Sequence, residues 1–177
     1  MRVSHEIEIT TTSVVLDGQA IAVQQTGEKM LVELYRRYVG DYPKFFKMDT
    51  LSRLGSIAAE LLLKQSDISS QISAVILANR SASIKNDTDY LATISEGNYY
   101  PSPALFVYTL PNIVTGEIAI RHHIQGETSF YILDKPEELD SIIRSSHAAH
   151  RAPILAGWCE CSEANNFYAK LQIIWNN

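Results

Sequence analysis

Only two of the 177 residues are cysteine, Cys159 and Cys161. They stand at i and i+2, on one face if the segment is a strand, and a bridge between them would close a very small ring. Both therefore read as reduced, structural thiols. A zinc site is not expected either, because no further ligands lie near them at suitable spacing. Long apolar runs are missing too: nothing approaches the roughly 20 residues that span a bilayer. Met1 to Thr12 alternates like a strand, without a charged segment leading into an apolar block. No signal peptide is expected, and a cytoplasmic location follows. Basic residues are not in excess, with 15 Lys and Arg against 20 Asp and Glu and a net charge of -5. Nucleic-acid and anionic-membrane surfaces want a basic face, which this composition disfavours. Internal repeats, low-complexity tracts and domain linkers are likewise not seen.

What is there is an ordinary globular composition, 46% hydrophobic and 20% charged, consistent with a single domain, 1–177, whose core needs no metal or disulfide. From His5 to Val23 apolar residues alternate around Asp17-Gly18, a hairpin signal. Met30, Leu31, Leu34, Tyr35 and Tyr38 recur at helical spacing after Gly27, and Gly40 ends that helix. The connector 41–46 carries an aromatic cluster. Asp49 or Thr50 caps the longest predicted helix, Leu51 to Lys64. Ser73 to Ala78 is a continuous apolar run, as in a strand buried on both faces. A short helix is predicted over Asp87–Ile94. Ser102 caps the next, with Pro103 at its first position. Pro111 restarts a helix containing Gly116, where close backbone packing is expected. Thr128–Leu133 reads as a strand, and Lys135-Pro136 opens a helix to about Ala149, with its acids placed for the helix dipole. Pro153–Cys159 and Phe167–Trp175 are the last two strands. The alternation of strands and helices indicates an α/β layer structure.

Several segments fall in one familiar order. They are Lys47-Met48-Asp49 with the helix containing Ala58-Ala59, and Ala74–Asn79 followed by Thr88-Asp89. The Ser102–Leu133 stretch with Gly126 comes next, and then Ala156-Gly157-Trp158-Cys159-Glu160. The ordered set, covering roughly Ile7 to Glu160, resembles the N-terminal half of a β-ketoacyl synthase. It is also similar to short, single-half ketosynthase-like proteins of pigment and polyene clusters. The resemblance implies half of a thiolase-like fold, with a mixed, mostly parallel sheet and helices packed on its faces.

Departures from the family bear on function. In a full condensing enzyme a Thr-Ala-Cys nucleophile follows the strand, at a helix N-terminus that favours thiolate. Here the corresponding neighbourhood is Ile132-Leu133-Asp134-Lys135-Pro136, without Cys, Ser or Thr; Asp134 reads as a cap. Trp158 stands in place of the family's second glycine, and Glu127 in place of the proline after Gly126. The family's two catalytic histidines belong to the C-terminal half, which a chain ending at Asn177 is expected to lack.

Other polar residues carry little chemistry by sequence alone. His122 and His123 are adjacent and diverge. His147 and His150 share a helical face without a visible third ligand, so no metal is expected. Arg80-Ser81-Ala82-Ser83 follows a strand but lacks the glycines of a phosphate loop. The expected function is a non-catalytic accessory protein of fatty-acid, aryl polyene or polyketide-type biosynthesis, without cofactor. Its expected partners are a ketosynthase, an acyl carrier protein, or a second copy of itself. The competing readings are an acyltransferase or 3-oxoacyl-carrier synthase-related enzyme acting on carrier-protein or coenzyme A thioesters, and a simple acyl-chain binder. An enzyme would use Asp134, Glu127 and His123 beside an acyl pocket lined by Phe106, Tyr108 and Phe130.

Overall fold

The computed structural model describes residues 2–66, 68–97, 100–149 and 152–175. The chain opens with β1 (Arg2–Ile9), and β2 (Val14–Leu16) folds back on it with Ile7 opposite Leu16. At the next turn Asp17 and Gly18 both take positive φ, 50° and 76°, the backbone whose twist suits a two-residue hairpin. β3 (Gln19–Ile21) completes the meander. Asp17 secures the turn from its side chain: its carboxylate accepts the Glu6 N–H at 2.8 Å and meets His5 Nδ1 at 2.8 Å.

Helix α1 (Gly27–Tyr38) buries Met30, Leu31, Leu34 and Tyr35, the stripe expected from the sequence, and Gly40 closes it with φ 75°. Phe45, from the 3-10 turn Pro43–Lys47, stacks on Tyr35 with ring centroids 4.4 Å apart. Of the two candidate caps for α2 (Thr50–Ser66), Asp49 does the capping, accepting the Ser52 N–H at 3.0 Å. The Thr50 hydroxyl instead donates to Glu28. α2 crosses the middle of the sheet and is buried along most of its length.

β4 (Ala74–Asn79) is buried at all six positions, because helices cover both of its faces. Val75 and Leu77 point into the larger core under α2, while Ala74, Ile76 and Ala78 point the other way. The segment after β4 holds α3 (Ile84–Leu91), three residues earlier than predicted, the short α4 (Pro103–Val107), and α5 (Ile113–His122). Ser102 caps α4 as expected, accepting the Leu105 N–H. β5 (Glu127–Ile132), α6 (Pro136–Ala149), β6 (Ile154–Glu163) and β7 (Asn166–Trp175) complete the order. Leu139 and Ile143 of α6 cover the second face, against Ile154, Ala156 and Trp158.

Among the described residues the seven strands form one sheet, in the order β3-β2-β1-β7-β6-β4-β5. The α/β class with a mixed sheet is as expected, but parallel pairing does not dominate. Only β6-β4 and β4-β5 are parallel; the other four pairings are antiparallel. Connection length is the physical reason. Parallel neighbours need a crossover of a dozen residues or more. Helices separate β4, β5 and β6 from one another and permit their parallel pairing, while tight turns join β1 to β2 to β3 and β6 to β7; the helices between β3 and β4 link strands that do not pair.

Close helix packing falls at Gly55 of α2, not at Gly116 of α5. A Cβ on Gly55 would lie 2.3 Å from Val114 Cγ2, whereas one on Gly116 would meet nothing within 4 Å. Among the described residues, no helix is long and apolar enough to cross a membrane.

Candidate functional site

In a sheet with parallel strands, ligands gather at the strands' carboxyl ends. Here that rim is formed by the ends of β4, β5 and β6. Buried Asn79 ends β4 and bonds Ala82 twice, donating Nδ2–H to its carbonyl and accepting its N–H, both at 2.9 Å. The clasp holds Ala82 at φ 50°, a strained backbone for a residue other than glycine. Glu160, on β6, accepts the Arg80 N–H at 2.8 Å and the Ser81 hydroxyl. Donors that an anion-binding loop would offer are thus consumed by the protein's own carboxylate. Deeper in, Asn86 donates to the Leu105 carbonyl at 2.7 Å, and Ser83 Oγ lies 2.6 Å from that of Thr109. These bonds dock α3 against α4 and leave a rigid rim without an open phosphate cradle.

The three candidate catalytic residues do not come together. Glu127 begins β5 and Asp134 follows its end. At about 3.3 Å per residue their backbones stand roughly 20 Å apart. Glu127 is half-buried at the amino end, where Ser129 Oγ donates to it at 2.6 Å and Ser146 Oγ at 3.1 Å. His123 is an exposed left-handed residue, φ 55°, that ends α5. Asp134 is exposed in the turn into α6. The predicted acyl pocket is dispersed as well. Phe106 is 56% exposed and touches Tyr90 at 5.5 Å between ring centroids. Phe130 is half-buried against the core beneath α2 and α5. Tyr108 is buried after α4, and its hydroxyl pKa is pushed up to about 12, first by burial and then by the nearby Glu117 and Asp49 charges. The cause is chain geometry: a strand separates Glu127 from Asp134, and α4 turns Phe106 outward.

Neither thiol is activated. Cys159 is fully buried, with Sγ 3.9 Å from the Leu51 carbonyl. Burial raises its pKa well above the usual value and that of Cys161 to about 12, so the thiolates that chemistry would need are suppressed. His122 diverges from His123, as expected of adjacent residues, and turns inward, where its Nε2 lies 3.4 Å from Glu60 Oε2. Sequence reasoning missed this cluster. Glu60 is 4% exposed and also meets Arg121 Nε and Lys64 Nζ, each at 3.3 Å. Arg121 continues to Asp41 at 2.7 Å and lies over the Tyr42 ring. Only the Glu60/Lys64 spacing was a visible signal; the partners from α5, Arg121 and His122, lie 61 and 62 residues away. The cluster clamps α5 to α2 and contains no Cys, Ser or Thr. The side chain of His147 and all of His150 lie outside the described residues. Among the described residues, no group of three or more His, Cys, Asp or Glu is placed to hold a metal.

What remains at this end is a surface. β5 is an edge strand, paired with β4 alone among the described residues. Glu127 N–H donates to Ser73 O and Leu133 N–H to Asn79 O, so the odd-numbered residues face β4. By the alternation of a parallel ladder, the N–H and C=O groups of Thr128, Phe130 and Ile132 point to the free side. Ile132 is 60% exposed, and α3 and α4 expose Ile84, Leu91, Val107 and Phe106.

No family model and no curated protein matches the chain. Solved structures do in shape, two of them as follows. One is the complex of the ketosynthase ApeO with its chain length factor ApeC from Xenorhabdus doucetiae. It matches with a TM-score of 0.70 at 13% identity, over 99% of this chain and 79% of the matched one. The other is the ishigamide ketosynthase/chain length factor, with a TM-score of 0.72 at 15% identity, over 98% of this chain. This chain spans 61% of the length of that second protein. At such identities the likeness establishes the fold, which is that of thiolase-like ketosynthases and chain length factors.

Proposed function

We propose that the protein is a ketosynthase-like accessory subunit with no condensing chemistry of its own. It pairs with a ketosynthase, in the manner of a chain length factor, in fatty-acid, aryl polyene or polyketide-type biosynthesis. The observation that carries this reading is the turn from β5 into α6. By the resemblance a nucleophile belongs there, and the chain supplies exposed Asp134 followed by Lys135 and Pro136. Its two thiols lie instead on β6, buried and held protonated.

The free edge of β5 supports the pairing part. An unpaired row of N–H and C=O groups is a template for another chain. The exposed apolar side chains of α3 and α4 are surface that a partner would bury. An acyl carrier protein is the second expected partner.

The test mixes the purified chain with the ketosynthase and the acyl carrier protein of its host. Complexes are resolved by size-exclusion chromatography, and acyl thioester turnover is followed in parallel. The chain alone should be inert and should co-elute with the ketosynthase. The reading fails if the chain alone turns over acyl thioesters and loses that activity in Asp134→Ala or His123→Ala. It fails equally if the chain stays monomeric beside both proteins, or assembles only with itself.

A further inference from the structure

A groove of about 700 Å3 runs between α1 and the first turn of α2. Four cations line it, Lys29, Arg36, Arg37 and Arg53, against two carboxylates, Glu28 and Glu33. Both carboxylates are already engaged. Glu33 accepts the N–H groups of Gln24 and Gln25 at 2.9 and 2.8 Å and pairs with Arg37 at 3.3 Å. Glu28 accepts the Thr50 hydroxyl. Among the described residues, no carboxylate forms an ion pair with Lys29, Arg36 or Arg53. Arg53 is nevertheless fixed: it donates to the carbonyls of Phe45 and Phe46 at 3.2 and 3.0 Å and lies over the Phe45 ring. Its position is set by neutral acceptors; the charge of the half-buried Asp49 carboxylate reaches it without forming an ion pair.

This surplus runs against the composition of the chain, whose net charge is -5. Its layout selects the ligand. Lys29, Val32 and Arg36 fall at i, i+3 and i+7, one stripe along α1. Their backbones are therefore spread over about 10 Å of helix, at 1.5 Å per residue, a span of two turns that an extended acidic surface matches. A second helix laid along α1, with acids at the same two-turn spacing, would meet both cations. Beside the groove, Phe46 is 48% exposed on a rigid aromatic cluster with Tyr35 and Phe45, the kind of anchor an interface is built around.

We propose that the α1 groove docks an acidic helix of a partner protein, with Lys29, Arg36 and Arg53 as the charged contacts and Phe46 as the apolar one. The groove adjoins the segment leaving β3, the sheet edge opposite β5. It is thus separate from the surface proposed for the ketosynthase, and both can be occupied together.

The probe is a fluorescent helical peptide with glutamates at i and i+7 and one leucine stripe, titrated with the full chain and followed by anisotropy. Binding should tighten at low salt and weaken as salt rises, because complementary charge governs it. The double variant Lys29→Glu with Arg36→Glu should bind about tenfold or more weakly, while Arg144→Glu on α6 should bind like the parent. Lys29 and Arg36 are exposed, so the double variant should keep the parent's melting temperature, and circular dichroism checks this. The proposal is overturned by a glutamine version of the peptide that binds equally well, by undiminished binding to the double variant, or by absence of binding at low salt. Displacement of the peptide by equimolar pyrophosphate would overturn it too, marking a small-anion site instead. Since the ketosynthase takes no part, failure here leaves the pairing proposal standing, and the reverse holds.

Discussion

Glu60 is the residue whose surroundings differ most from its sequence context. Inside α2 its carboxylate answers Arg121, Lys64 and His122 together. Removing the buried carboxylate forfeits its charge-assisted bonds to Arg121 and Lys64, at a cost of about 1.5–3 kcal/mol, although Arg121 keeps Asp41 and Lys64 reaches solvent. Glu60→Ala should therefore lower the urea midpoint well beyond any single surface change. A loss under about 0.5 kcal/mol would show that the cluster is ornamental. His122 gives the cluster a pH dependence. Burial lowers its pKa below the ordinary 6.5; Glu60 opposes this, while Arg121, Lys64 and His123 reinforce it. On acidification the unfolded chain takes up the proton first. Stability present above about pH 6.5 is accordingly lost as pH falls through the lowered value. Urea midpoints at neutral and mildly acidic pH should differ in this sense, and by less in His122→Asn. A parent chain that gained stability on acidification would contradict the assignment. The thiols supply a third reading at this scale. With Cys159 fully buried and Cys161 raised to about 12, a disulfide reagent at mildly alkaline pH should label neither until urea is added. Rapid labelling of the native chain would put a reactive thiol back in play.

Elements show where local pattern was enough and where it was not. β4 was legible because its consecutive buried positions from Ala74 to Ala78 require an unbroken apolar run. The β2–β3 turn was legible because Asp-Gly supplies two residues tolerant of positive φ. α1 and α2 were legible from their stripes. Pairing across long separation was not: β1 lies beside β7, and nothing in either strand names the other. The dispersal of Glu127, His123 and Asp134 was not legible for the opposite reason: residues near in sequence are carried apart when a strand runs between them. The Gly116 expectation fails because a helix glycine marks a close approach only when a neighbour faces it, and here the neighbour faces Gly55. Opposite signs should follow. Gly116→Ala should stabilise α5 by about 0.5–1 kcal/mol through helix propensity. Gly55→Ala should destabilise by about 1–3 kcal/mol, because the added methyl drives into Val114. Thermal melts of the two variants separate these outcomes, and equal shifts in one direction would mean that the α2–α5 crossing is misplaced.

For the whole molecule, the fold positions an edge more clearly than a reaction centre. Glu160 and Asn79 tie down the rim loop, the thiols are sealed in the core, and the exposed β5 edge carries an outward-facing row of backbone groups at Thr128, Phe130 and Ile132. Thr128→Pro tests that edge selectively. Proline at an edge position whose N–H faces outward removes one free donor and leaves the β4 ladder intact. The deciding measurement is the mass of the chain mixed with its host ketosynthase, by light scattering across a size-exclusion peak, for the parent and for Thr128→Pro. The parent should form a stoichiometric complex, and Thr128→Pro, with unchanged circular dichroism, should elute apart from the ketosynthase. A parent that elutes alone, or a Thr128→Pro variant that still binds fully, would contradict pairing through this edge.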